Sequence, residues 1–128
     1  MLTSGESCNR SYVTLDKSEI NEIYHPDFIK GLPCSLAEAT VKAGECTECH
    51  IHKESTEIYY GLEGSGTLYL DCAEGGKIKF TVGSSALIPP GTPHYICADT
   101  GTAFLKFLCY CVPPYSYRQT QIVETMQN

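Results

Sequence analysis

The sequence predicts an all-β domain, and three observations carry that prediction. From Ser35 onward apolar and polar residues alternate with a period of two, the signature of half-buried strands. The alternating runs are short and recur about every 8–12 residues. Eleven Gly and seven Pro punctuate them as turn signals, while Val, Ile, Thr, Tyr and Phe fill the stretches between. Short strands at that spacing describe a β-sandwich or jelly roll.

The elements follow in order. Residues 1–10 are polar and read as a loose start. Ser11 to Leu15 alternates weakly and is read as a strand. Asp16-Lys-Ser-Glu19 fits a capped helical turn, whereas Ile20 to Tyr24 fits an extended segment equally well. His25-Pro26-Asp27 and Gly31-Leu-Pro33 are turns. Leu36 to Ala43 is a strand ended by Gly44, and Glu48 to His52 is the next. A turn over Lys53 to Thr56 leads into Glu57 to Leu62, which Glu63-Gly-Ser-Gly66 terminates. Thr67 to Cys72 and Lys77 to Val82 form a hairpin across Ala73 to Gly76. Ser85 to Ile88 is a short strand, and Pro89-Pro-Gly91-Thr-Pro93 is a rigid bend. His94 to Cys97 and Ala103 to Cys111 are strands, Val112-Pro-Pro114 closes the last one, and Thr120 to Glu124 is a further short strand in the tail.

Composition bounds the function. At 128 residues, 42% hydrophobic and 19% charged, the chain fits one globular domain with one core. Net charge is −6, and the nine Lys and Arg are scattered singly, which speaks against nucleic acid as a partner. Met1 to Tyr12 contains no apolar leader segment, and no run approaches a membrane span, so a cytoplasmic protein with no membrane partner is expected. In that compartment the eight Cys are expected to be mostly reduced, buried thiols.

Three of the four histidines fall into one pattern. Gly44-Glu-Cys-Thr-Glu-Cys-His50-Ile-His52 is followed five residues on by Glu57, and Gly83-Ser-Ser-Ala-Leu-Ile-Pro89-Pro-Gly91-Thr-Pro-His94 comes later. Strand parity places His50 and His52 on one face, and the turn at 53–56 can return Glu57 to that same face. The proline-stiffened bend fixes the direction of His94. Three imidazoles and a carboxylate suit one divalent transition metal among Mn, Fe, Co, Ni, Cu and Zn. Such a set leaves one or two coordination positions open, which marks a catalytic rather than a structural site.

A rival reading uses the same stretch. Cys46-Thr-Glu-Cys49-His50 matches the Cys-x-x-Cys-His haem-attachment signature, and Cys46 with Cys49 is half of a structural zinc site. Haem attachment needs export, and a second Cys or His pair at zinc-finger spacing is missing. Alternation is expected to turn Cys49 away from His50, toward the outer face.

On these residues the chain resembles a single-domain cupin. Gly44, His50, His52, Glu57 and Gly64 fit the first cupin motif, and Gly83, Pro89, Gly91 and His94 fit the second, whose last place holds Ala98 instead of Asn. The phrases EIYYGLEGSG and LIPPGTPH resemble small microbial cupins of the mannose-6-phosphate-isomerase-like kind. The resemblance implies an antiparallel double-stranded β-helix, a jelly-roll barrel, over residues 35–112. It assigns the four metal-ligand roles to His50, His52, Glu57 and His94, places one metal near the barrel mouth, and implies a homodimer. Residues 1–34 then supply N-terminal strands and turns that are candidates for the dimer contact, and residues 113–128 form a C-terminal tail. Within that tail, Pro113 to Tyr117 is a candidate cover for the mouth or a docking segment.

Parity from Glu57 sends Tyr59 inward and Tyr60 outward. On the last long strand Lys106 should face solvent, so Leu105, Phe107, Cys109 and Cys111 should face in. Tyr59, Ile96, Leu105, Phe107 and Cys109 are therefore the expected substrate-pocket residues, with Glu57 and Tyr59 the candidate acid–base groups. Three functions are compatible. The first is a metal-dependent isomerase, epimerase or lyase acting on a small hydroxy-carbonyl or carboxylate compound. The second is a metal-dependent dioxygenase, and the third a cupin that only binds a small ligand. The inward faces carry no Lys or Arg cluster, so sugar phosphates are expected to bind poorly.

Overall fold

The computed structural model describes residues 10–14, 17–71 and 76–123. The chain folds into two facing antiparallel sheets. The first holds β1 (Arg10–Val13), β2 (Glu19–Tyr24), β3 (Ser35–Lys42), β5 (Thr56–Glu63), β8 (Ser85–Ile88) and β10 (Phe104–Val112), in the order β1-β2-β3-β10-β5-β8. The second holds β4 (His50–His52), β6 (Gly66–Leu70), β7 (Lys77–Phe80), β9 (His94–Ala98) and β11 (Thr120–Ile122), in the order β11-β4-β9-β6-β7. Antiparallel strands crossing between two sheets in this way make the expected jelly roll, with no α-helix among the described residues and a 3-10 turn at Tyr117–Gln119.

Alternation decides what is buried. β5 runs Glu57 in, Ile58 out, Tyr59 in, Tyr60 out. On β10, Leu105, Phe107 and Cys111 are buried, while Lys106 reaches outward to Glu38 at 3.6 Å. Leu68, Phe80, Ile88, Ile96, Leu105 and Phe107 form the centre of the core between the sheets. Lys77 and Lys79 are exposed beside buried Phe80.

Three details differ from the sequence reading. Glu19 belongs to strand β2, so the extended alternative holds for Ile20 to Tyr24 and the helical turn does not reach Glu19; Asp16 and Leu15 lie outside the described residues. The strand expected from Glu48 begins only at His50, because residues 45–47 instead run beside the end of β9. The hairpin pairs Gly66–Tyr69 with Lys77–Phe80, and its expected tip at Ala73 lies outside the described residues.

The thiol expectation needs correction. Cys46 and Cys97 form a disulfide, and Cys49 is disulfide-bonded as well. Thr47 N–H donates to Ile96 O and Ala98 N–H to Glu45 O, which makes Cys46 and Cys97 a non-hydrogen-bonded antiparallel pair. Side chains approach most closely in such pairs, so two Cys there meet without backbone movement. Cys49 is buried rather than outward, since it precedes the strand whose alternation was applied to it. Cys34, Cys109 and Cys111 are free thiols. The same bridges carry Ala98, whose O accepts from Gly44 N–H, so a ladder closes this turn without the motif's usual Asn.

Gly64 ends β5 at φ 79°, and a Cβ there would stand 2.0 Å from Phe104 O. Only glycine satisfies both demands.

Candidate metal centre

His50 and His52 project from one face of β4, Glu57 from the start of β5 and His94 from the start of β9. β4 pairs with β9 through His50 opposite His94, and β11 pairs with β4 through Thr120 opposite His52. The turn from β4 to β5 is pinned by buried Gln119, whose Oε1 accepts from the N–H groups of Glu54 and Ser55. One donor atom from each of His50, His52, Glu57 and His94 lies within 4.8 Å of all the others, and all four side chains are buried.

Hydrogen bonds to Nδ1 fix the three rings. His50 Nδ1 lies 2.8 Å from Glu48 O and His94 Nδ1 2.8 Å from Thr92 O. A carbonyl only accepts, so both rings carry their proton on Nδ1. His52 Nδ1 lies 3.0 Å from Thr120 Oγ1, whose own proton goes to Ser116 O. That hydroxyl therefore accepts as well. All three neutral imidazoles thus present an Nε2 lone pair to the centre, the arrangement that outer partners impose on metal-binding histidines.

Glu57 Oε1 stands 3.0 Å from His94 Nε2 and 3.2 Å from His52 Nε2. In these tautomers lone pairs face lone pairs, which a cation between them resolves. Burial alone would raise the Glu57 carboxyl, but in the absence of an ion, hydrogen bonds and charge from the His52 and His94 rings carrying a second proton on Nε2 outweigh it and hold it well below the usual carboxylate range. The donor set and its geometry fit a divalent transition ion.

Beside this centre lies a cavity of about 40 Å³, lined among others by His52, Glu57, Tyr59, Phe107, Cys109, Cys111 and Ala39. It has room for about two or three waters. Of the residues expected there, Tyr59, Phe107 and Cys109 line it; Ile96 and Leu105 are packed in the core. Tyr59 packs against Phe107 with ring centroids 4.6 Å apart and planes tilted by 42°, and it meets the His94 ring edge-on at 5.9 Å. Cys109 Sγ donates to Glu57 Oε2 at 2.9 Å. Its bond with Cys111, burial and the Glu57 charge push the Cys109 thiol well up. Cys109 lowers the Cys111 thiol, but burial and Glu57 outweigh it and leave that thiol raised.

The sequence reading missed Glu22, Tyr12 and Thr120 at this site, whereas Tyr115 belongs to the segment Pro113 to Tyr117 that it named as a candidate cover. Glu22 is 2% exposed on β2, lines the cavity, and accepts a hydrogen bond from Tyr12. Its signal was present: Ile20 and Glu22 share one face of an extended segment, and a charge on an apolar face is the informative exception. Tyr12, Thr14, Glu22 and Tyr115 also line an outer cleft of about 790 Å³ that includes His25, Lys17 and Arg118, and so form the wall between the two spaces. His25 Nε2 donates to Tyr115 O at 2.9 Å, and its Nδ1 accepts from Asp27 N–H. Tyr115 in turn meets the His52 ring edge-on at 5.8 Å, so the tail lies over the site. Cys46 and Cys49 are both disulfide-bonded, which removes them as haem or zinc thiolates.

The chain belongs to the cupins: the Cupin domain family matches residues 37–111. It is 45% identical over 115 residues to the uncharacterized protein MJ1618 of Methanocaldococcus jannaschii, covering 90% of this chain and 89% of that one. Its fold is similar to the polyketide cyclase RemF of Streptomyces resistomycificus, with 20% identity, coverage of 99% and 88%, and a TM-score of 0.75. It is also similar to Streptomyces Pac13, a nucleoside dehydratase, with 15% identity, coverage of 98% and 95%, and a TM-score of 0.71. A predicted oxalate decarboxylase from Thermotoga maritima shares 22% identity over 76% of this chain and 81% of that one, at a TM-score of 0.64. At these identities the structures speak for the fold, and their differing activities leave the reaction to be argued from the site.

Proposed function

We propose that this cupin is a metal-dependent enzyme that moves a proton on a small hydroxy-carbonyl or carboxylate compound, as an isomerase, epimerase or lyase does. The observation that carries the reading is a second buried carboxylate, Glu22, on the cavity that Glu57 also lines. A divalent ion held by His50, His52, Glu57 and His94 supplies Lewis acidity to a ligand oxygen. Glu57, facing two imidazoles through Oε1, serves as a ligand and not as the base. Glu22 takes the proton, with Tyr12 tuning it through their hydrogen bond, and Tyr59 is the second candidate proton donor on the same cavity.

The space of about 40 Å³ suits a compound of few heavy atoms. Neither Lys nor Arg is among its described lining residues, which supports poor binding of sugar phosphates despite the isomerase-like motif phrases; Lys17 and Arg118 line only the outer cleft. A dioxygenase is the second reading, favoured by the apolar wall of Ile20, Ala37, Ala39 and Phe107. A homodimer belongs to the first reading. Residues 1–34 are one candidate contact, and the exposed cluster of Ile58, Tyr60 and Leu87 on β5 and β8 is another. A cytoplasmic location stands beside a disulfide that ordinarily forms in oxidising compartments.

Protein purified without oxygen, with its metal content measured, is incubated in D2O with small 2-hydroxy acids and hydroxy ketones. The expected result is deuterium at the carbon next to the carbonyl, lost in Glu22→Gln with the metal content unchanged. Oxygen uptake triggered by ligand selects the dioxygenase. Saturable binding without exchange leaves a binding protein and sinks the proposal.

A further inference from the structure

The Glu57 carboxylate has two oxygens, and they face different chemistry. Oε1 faces His52 and His94, whereas Oε2 accepts from Cys109 Sγ at 2.9 Å and Cys111 Sγ at 3.4 Å. Cys109 and Cys111 sit two residues apart on β10, so strand parity turns both thiols inward. Their sulfurs are 3.9 Å apart. Two thiolates on one tetrahedral ion, at a metal–sulfur distance of about 2.3 Å, stand about 3.8 Å apart. The spacing is thus already that of a chelate.

We propose that Cys109, Cys111 and Glu57 Oε2 form a second metal subsite, for a thiophilic ion of the zinc class, bridged by the Glu57 carboxylate to the histidine centre. One donor atom from each of the three lies within 4.8 Å of the others, and all three residues line the cavity. Three protein ligands leave a fourth position for water or a ligand oxygen. On binding, each thiol releases its proton to solvent and each sulfur takes up a bond to the ion. Two divalent ions then face one carboxylate and two thiolates, so most of the added charge is neutralised within the site. Sulfur ligands select a softer ion than the histidine set does, which allows the two positions to hold different metals. The subsite shares Glu57 with the metal reading given above, but its thiol ligands are separate, and the two can be tested apart.

The experiment titrates metal-stripped Cys34→Ser protein with Co2+ and with Cd2+ under anaerobic conditions, following bound ions per chain and thiolate-to-metal charge-transfer absorption. Two ions per chain are expected, one of them with the charge-transfer band. Cys109→Ser/Cys111→Ser should keep one ion and lose the band, the retained ion showing that the barrel has folded. His50→Ala should weaken the other ion by tenfold or more and keep the band. A single ion bound without charge transfer overturns the proposal, as does a band that survives the double serine variant. A single ion with the band, insensitive to His50→Ala, overturns the histidine reading and keeps this one.

Discussion

His94 Nε2 lies 3.0 Å from Glu57 Oε1, with the His94 proton committed to Thr92 O on the far side of the ring. Two acceptors at that distance, both buried, repel each other unless a cation sits between them. In the metal-free protein only a second proton on the ring can take that place, and a divalent ion fills it more strongly. Stripping the metal with a chelator should lower the melting temperature, and restoring it should raise stability by about 2.7 kcal/mol at a hundredfold excess over Kd. Calorimetric scans of stripped and reconstituted protein check this. Identical melting curves would count against the assigned centre.

Thr120 is the outer partner that orients His52. Thr120→Val keeps the shape and removes the acceptor, so Nδ1–H is left without its hydrogen bond and the ring loses its fixed direction. Metal affinity should fall by about 10–100-fold, and Thr120→Ser should restore most of it. His52→Ala removes a ligand itself and should cost roughly tenfold or more. A competition titration against a chromophoric chelator reads all three. Equal affinities for Thr120→Val and the parent would show that β11 plays no part in holding the ring.

Much of this was legible in the sequence where the determinants are local. The candidate ligands His50, His52, Glu57 and His94 sit in short motifs, and two-residue parity was enough to turn Tyr59, Phe107 and Cys109 toward the same cavity. Glu22 was legible only as a charge on the same face as Ile20; its place at the site, like that of Thr120, depends on pairing with distant strands. β2 joins β3 through a register shift between Glu22 and Tyr24, and β11 joins β4 across 68 residues from His52 to Thr120. No local pattern specifies either register. Cys46 and Cys97 escaped for the same reason, since their pairing appears only when residues 45–47 are laid against β9.

Gly64 shows a residue whose role is steric and conformational at once. Its φ of 79° disfavours any side chain, and Phe104 O occupies the space a Cβ needs. Gly64→Ala should destabilise the fold by about 2 kcal/mol or more, with the β5–β10 pairing displaced. Gly83→Ala provides the contrast: φ is 84°, but nothing lies within 4 Å of the added carbon, so only the conformational part of about 1 kcal/mol is expected. Urea unfolding of the two variants should rank them in that order; the reverse order would refute the steric account.

The Cys46–Cys97 disulfide closes a loop with a sequence separation of 51 residues, one that contains β4, β5 and the start of β9 and hence all four proposed ligands. Chain-entropy reasoning assigns a cross-link over such a loop about 4 kcal/mol, with measured values typically about 2–4 kcal/mol. The effect acts mainly on the unfolded chain, so the geometry around Glu57 should survive its loss. Cys46→Ser/Cys97→Ser should therefore unfold at lower denaturant while binding metal with unchanged affinity under native conditions. Denaturant midpoints and metal titrations on the same samples separate the two quantities. If affinity fell together with stability, the cross-link would instead be holding residues 45–50 in place against β9, and His50 would owe its position to the disulfide rather than to its hydrogen bond with Glu48 O.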